Sequence, residues 1–196
     1  DGYLKLVDMG TAKFLKQSVD GSYERTFTVV GTPHYTAPEI IQQKGYTFTA
    51  DYWSLGILLY EVAVGGVPFG AEESDVFQVY QEILKAELVF PDFLDWENCK
   101  DVMKQLLNKS PDARLGAGVS AFKAHKWFEL INWDWDKLLN KKITPDFSPD
   151  SMVDQQPSEE TKEADYLHKR IVEASRTMNA VKTFKSNLPV DWDKDF

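Results

Sequence analysis

The sequence is short of cysteine, of basic charge and of long apolar runs. Cys99 is the only cysteine in 196 residues, so no internal disulfide can form and a reducing, cytoplasmic setting is expected. Its neighbours Glu97-Asn98 and Lys100-Asp101, with Val102, Leu106 and Leu107 close behind, make it a half-buried helix thiol rather than a reactive nucleophile. No run of about 18 apolar residues occurs, so no transmembrane helix is expected, nor is a secretory leader. Lysine and arginine number 22 against 31 aspartates and glutamates, a formal net charge of -9. With no basic stripe to neutralise phosphates, a nucleic-acid partner is excluded, whereas a basic peptide is compatible.

What is present is enough apolar material, 43% of residues, for one globular domain and a tail. The chain opens on Asp1-Gly2, a hairpin-turn dipeptide, and Tyr3-Leu4-Lys5-Leu6-Val7 reads as a strand. A hairpin needs a strand before its turn, so the expectation is a sequence cut from a larger domain. The stretch from Val7 to about Lys44 is irregular and rich in Gly, Thr and Ser, the pattern of a functional or disordered loop. A helix is then expected from Thr49 to about Val64. Its Trp53, Leu55, Ile57, Leu58, Leu59 and Val62 are apolar nearly all round, as in a buried central helix. Gly65-Gly66 should end it. Further helices are expected from a Ser74 cap to about Ala86, from about Asn98 to Asn108, and from about Val119 to Lys126. Past about Thr144, prolines among Asp, Ser and Gln suggest an extended tail, with a thin-faced helix from Ser158 to about Met178.

Two constellations carry chemistry. Asp8-Met9-Gly10 follows the expected strand; a carboxylate there suits Mg2+ on nucleotide phosphates, although taken alone the motif favours a simple turn. Gly31-Thr32-Pro33-His34-Tyr35-Thr36-Ala37-Pro38-Glu39 is more specific. Together the two resemble the ends of the activation segment of protein kinases. Asp51-Tyr52-Trp53-Ser54-Leu55-Gly56 is similar to the kinase central-helix motif, and Arg114 stands where a kinase arginine pairs with the Ala-Pro-Glu glutamate, here Glu39.

The resemblance implies a role for each matched position. Asp8 would bind Mg2+ and so the nucleotide, with Gly10 allowing the turn. Glu39 and Arg114 would form a buried bidentate pair, and Asp51 would accept N–H groups from the catalytic loop. Thr28 matches the activation-loop phosphorylation site; a phosphate there adds about -1.5 to -2 charge, with Lys13 as a candidate partner. Thr32 and Glu61 match substrate-binding positions, Glu61 toward a substrate arginine.

His125-Lys126-Trp127-Phe128 and the tail are similar to the protein kinase A, G and C group. Trp192-Asp193-Lys194-Asp195-Phe196 resembles the end of cGMP-dependent kinases, where the tail docks through residues matching Trp192 and Phe196. The implied fold is mainly α: the helical C-lobe of a truncated bilobal kinase over residues 1–143, with a leading strand remnant and an extended tail over 144–196. The implied activity is serine/threonine phosphorylation of basic peptides with ATP and Mg2+, regulated by cGMP in the intact protein.

Some positions depart from that pattern. Met9 replaces the usual phenylalanine and His34 a glutamate, and Gln17 to Tyr23 reads as an insertion. No Gly-rich loop, strand lysine or catalytic loop occurs, so no catalytic base lies in this chain. The chain alone is expected to be inactive and to need a missing N-lobe. A cAMP-dependent-type catalytic subunit and a non-catalytic interaction module remain the alternatives.

Overall fold

The computed structural model describes residues 2–115 and 119–145. The chain forms two compact units. Of the smaller, the described residues are 2–5 and 144–145; the larger runs from Leu6 to Ile143. The expected tail helix and the positions Trp192 and Phe196 lie outside the described residues.

Helices dominate the larger unit: α1 (Pro38–Ile41), α2 (Thr49–Val64), α3 (Val76–Lys85), α4 (Glu97–Leu106), α5 (Val119–Lys123), α6 (Lys126–Leu130) and α7 (Trp135–Leu139). No strand occurs among the described residues. The expected strand at Tyr3–Val7 is not among the elements of the described residues; a strand exists only against another strand's backbone. The two β-bridges are isolated pairs, Gln17 with Tyr23 and Thr26 with Tyr46.

Helix α2 is the organising element. Gly65 ends it with φ +90, and its N–H donates to the Glu61 carbonyl at 2.7 Å, the left-handed cap that glycine adopts without steric cost. Trp53 and Ile57 are buried in one cluster with Phe69, Val79, Ile83 and Leu107, and Tyr60 in a second with Leu94, Cys99 and Met103. Trp53 stacks on Phe69, with ring centres 5.8 Å apart. Burying each large apolar side chain contributes about 1.5–3 kcal/mol. Gly56 lets α4 approach, since a Cβ there would lie 2.8 Å from Leu107 Cδ2.

The burial of α2 is one-sided. Leu55, Leu58 and Val62 share a face and are exposed, Val62 at 77%, contrary to a helix buried all round. Leu55 and Leu58 are partly covered, and Val62 is mostly open.

Two helix ends also differ from the sequence pattern. Helix α3 starts after Asp75, not Ser74, and no side chain caps it. The expected helix from Val119 to Lys126 is two helices. His125 is extended between them, and its Nδ1 accepts the Trp127 N–H at 3.2 Å, capping α6 where α5 has stopped. Phe122, Phe128 and Trp135 then hold α5 to α7 together, with ring centres 4.7–5.0 Å apart for Phe128 against the other two.

Candidate functional site

The segment from Gly31 to Glu39 is built as two proline-led turns. Pro33 opens a 3-10 turn through Tyr35, and Pro38 opens α1; a fixed φ and a missing N–H suit both first positions. The Tyr35 amide and the Thr36 hydroxyl return to the Thr32 carbonyl at 3.0 and 3.1 Å, which leaves the Thr32 side chain outward and exposed.

Helix α2 holds this segment from below. Ser54 Oγ donates to the Tyr35 carbonyl at 2.9 Å, and the Tyr35 hydroxyl donates to Glu61 Oε2. Ser54 and Glu61 are two helical turns apart and so share a face. Burial, and then the Glu61 carboxylate, push the Tyr35 phenol far above its usual range. Glu61 thus has one oxygen on Tyr35, and Oε1 has no partner among the described residues. His34 Nε2 lies 3.1 Å from the Gly70 carbonyl, tying the turn to the loop before α3.

Beneath the segment, Glu39 and Arg114 form a buried bidentate pair. Nη1 donates to Oε1 at 2.7 Å and Nη2 to Oε2 at 2.9 Å. Nη1 also donates to the Thr49 carbonyl at 2.9 Å, and Nε to the Asn108 carbonyl at 3.0 Å. The guanidinium lies 5.3 Å from the Trp53 ring centre. One side chain therefore ties α1, the start of α2 and the turn after α4, and its charge is met where water is excluded.

The remaining expected residues are placed as follows. Asp8 is exposed, with φ +61, and its Oδ1 accepts the Gly10 N–H at 3.1 Å. Asp51 is in the first turn of α2; its amide donates to the Phe48 carbonyl at 3.1 Å, while its carboxylate has no hydrogen bond among the described residues, and loss of hydration raises its carboxyl pKa. Lys13 donates to the Thr26 hydroxyl at 3.1 Å, not to Thr28. Thr28 instead gives its carbonyl to the Tyr46 hydroxyl at 2.6 Å.

The structure thus brings Glu39 to Arg114, and Thr32 to Glu61 by way of Tyr35. Tyr35, Ser54 and Tyr46 were missed from sequence; only the spacing of Ser54 and Glu61 on one helix face hinted at the first two. No cluster of three or more His, Cys, Asp or Glu side chains able to hold a metal occurs among the described residues. Asp8 fits as one carboxylate toward Mg2+, which commonly takes only one or two from protein. The described residues provide no cradle for the phosphates, so a complete nucleotide site is not made by them.

Residues 1–128 match the protein kinase domain family. The chain belongs to the protein kinase family. Its helices α1 to α6 are those of the kinase helical lobe. It is 35% identical over 196 residues, all of this chain and 18% of the relative, to a cGMP-dependent protein kinase of Toxoplasma gondii. It is 37% identical over 162 residues to a cGMP-dependent protein kinase of Eimeria tenella, covering 81% of this chain and 15% of the relative. It is 40% identical over 153 residues to cAMP-dependent protein kinase catalytic subunit 3 of Drosophila melanogaster, covering 76% of this chain and 24% of the relative. The chain spans less than a quarter of the length of each of these three curated relatives. Members of the family use ATP and Mg2+. No described helix is long and apolar enough to cross a membrane.

Proposed function

We propose that this chain is the substrate-side part of a cGMP-dependent-type serine/threonine kinase that phosphorylates basic peptides in the cytoplasm. The observation that carries the reading is the brace under the Gly31-to-Glu39 segment: the Glu39–Arg114 pair below it, and Ser54 and Glu61 of α2 on Tyr35.

In that reading the brace presents Thr32 and the Glu61 carboxylate to the substrate. The partnerless Oε1 of Glu61 is suited to a substrate guanidinium, since a second charge-assisted bond completes the carboxylate. Asp8 supplies one Mg2+ ligand, held in place by the Gly10 turn; the metal when bound neutralises phosphate charge. Asp51, whose carboxylate has no hydrogen bond among the described residues, receives backbone N–H groups of a catalytic loop outside this chain. The apolar strip Leu55, Leu58 and Val62 is the contact face for the rest of the kinase. Thr28 is the modification site of the activation segment, and Trp192 and Phe196 dock the tail on the N-lobe. This chain by itself transfers no phosphate. cGMP regulates the intact protein; a cAMP-dependent-type subunit is the neighbouring assignment, which cyclic-nucleotide titration of the intact kinase separates.

The test is Glu61→Gln in the intact kinase. The expected result is a raised KM for arginine-bearing peptides with kcat little changed, the signature of lost uniform binding. An unchanged KM overturns the substrate role of Glu61.

The exposed strip on α2 also favours a second reading, a non-catalytic interaction module that binds a protein partner through that face. The module reading requires full partner affinity in this chain alone, whereas the kinase reading requires the strip to be covered within one polypeptide.

A further inference from the structure

The insertion noted in the sequence between Gln17 and Tyr23 folds on itself. Gln17 and Tyr23 face each other as an antiparallel bridge. The Ser18 N–H donates to the Ser22 carbonyl at 2.7 Å, and the Glu24 N–H to the Lys16 carbonyl at 2.8 Å. Asp20 and Gly21 make the turn: Gly21 has φ +85, and the Asp20 carboxylate accepts the Ser22 amide at 3.0 Å and its hydroxyl at 2.7 Å. Those bonds hold the Asp20 carboxyl below its usual range.

A lone two-stranded hairpin is marginal in water and needs a surface to pack on. Val19, at the tip, is fully exposed and contributes no such packing. Tyr23 does: its ring meets Phe48 edge-on with centres 5.1 Å apart, and Phe48 is the residue that leads into α2. Just beyond, Thr26 and Tyr46 exchange both backbone hydrogen bonds at 2.9 Å, and Thr26 is buried. The Phe27 ring covers Gly45, where a Cβ would meet it at 2.8 Å. Tyr46 then reaches the Thr28 carbonyl.

We propose that the Gln17–Tyr23 hairpin is a built-in anchor which, through Tyr23 on Phe48, docks the Thr28-bearing segment onto the entry of α2. The anchor works through backbone and rings, with no hydrogen bond from the Thr28 side chain among the described residues, so it does not depend on the group Thr28 carries. Its meaning for regulation rests on the kinase reading. The anchoring itself does not, because it is measured without turnover.

The experiment is hydrogen exchange across this chain for Tyr23→Ala, Tyr23→Phe and Thr28→Ala. The expected result is roughly threefold to tenfold faster exchange at the Thr26 and Tyr46 amides in Tyr23→Ala, the effect of losing one aromatic pair. Tyr23→Phe keeps the ring edge and should match the parent, as should Thr28→Ala. Equal exchange in Tyr23→Ala and the parent overturns the anchor, as does a Tyr23→Phe that opens the segment as much as alanine. The α4 amides serve as the internal control for global unfolding. Should they also open, Asp20→Ala, which touches only the hairpin turn, replaces Tyr23→Ala: faster exchange at Thr26 supports the anchor, and parent-like exchange overturns it. Absence of phosphotransfer from the unmutated intact kinase would count against the kinase reading and leave these exchange results, and so the anchor, untouched.

Discussion

Arg114 and Glu39 stand 75 positions apart in sequence and meet through two parallel hydrogen bonds in a site closed to water. Because the same guanidinium also serves the carbonyls of Thr49 and Asn108, its loss leaves several acceptors and a buried charge unmet. Removing one partner of such a pair costs about 3–5 kcal/mol. Arg114→Ala is therefore expected to lower the unfolding free energy of this chain, read from urea titration, by that amount. Arg114→Lys should rescue little, since an ammonium cannot reproduce the planar fork. A loss of under about 1 kcal/mol would show that the pair is no brace.

The contact between Tyr35 and Glu61 makes stability depend on alkaline pH. The phenol is held protonated in the folded chain well above its ordinary value, first by burial and then by the carboxylate. In the unfolded chain it ionises near pH ~10. The folded state thus binds more protons above that point, and the Tyr35 contribution, complete below pH ~10, is lost as pH rises further. Urea midpoints at about pH 9 and 11 should fall less steeply for Tyr35→Phe than for the parent. Parallel slopes would remove the coupling.

Gly56 lies where α2 and α4 touch. A Cβ would sit 2.8 and 2.9 Å from Leu107 side-chain atoms and 3.0 Å from Leu106 Cβ. Although alanine favours helix, Gly56→Ala is expected to destabilise by about 1–3 kcal/mol through overpacking. A raised melting temperature would contradict the close approach.

Cys99 is 2% exposed, and burial pushes its thiol pKa up. The thiolate is the reactive form, so an aromatic disulfide reagent should modify the native chain slowly and the urea-unfolded chain fast. Rapid native modification would contradict the buried-thiol reading.

Much of the helical body was legible because its signals are local. Asp51, the dense apolar run and Gly65-Gly66 mark α2, whose observed ends are Thr49 and Val64. The rest depends on what comes near in space. Tyr3–Val7 has strand composition, yet no strand occurs among the described residues to pair with it. Leu55, Leu58 and Val62 look like core on composition alone, yet all three stay exposed. His125 reads as ordinary helix until its ring turns back to cap the next one. Lys13 pairs with Thr26, two residues short of the expected Thr28, because the Thr26–Tyr46 bridge sets where that loop lies. At the site, the pairing of Glu39 with Arg114 was implied by resemblance. The Tyr35–Glu61 contact was not, since two ordinary residues 26 apart leave no local mark.

The central claim is that these residues serve phosphoryl transfer to serine or threonine in an intact kinase. It is tested most directly by following γ-phosphate transfer from Mg-ATP to a basic serine peptide, with the intact kinase, its Asp8→Ala form and this chain alone compared side by side. The account predicts transfer by the intact protein, none by Asp8→Ala despite an unchanged melting temperature, and none by the chain alone. Full transfer by Asp8→Ala, or no transfer by the intact protein, would contradict it.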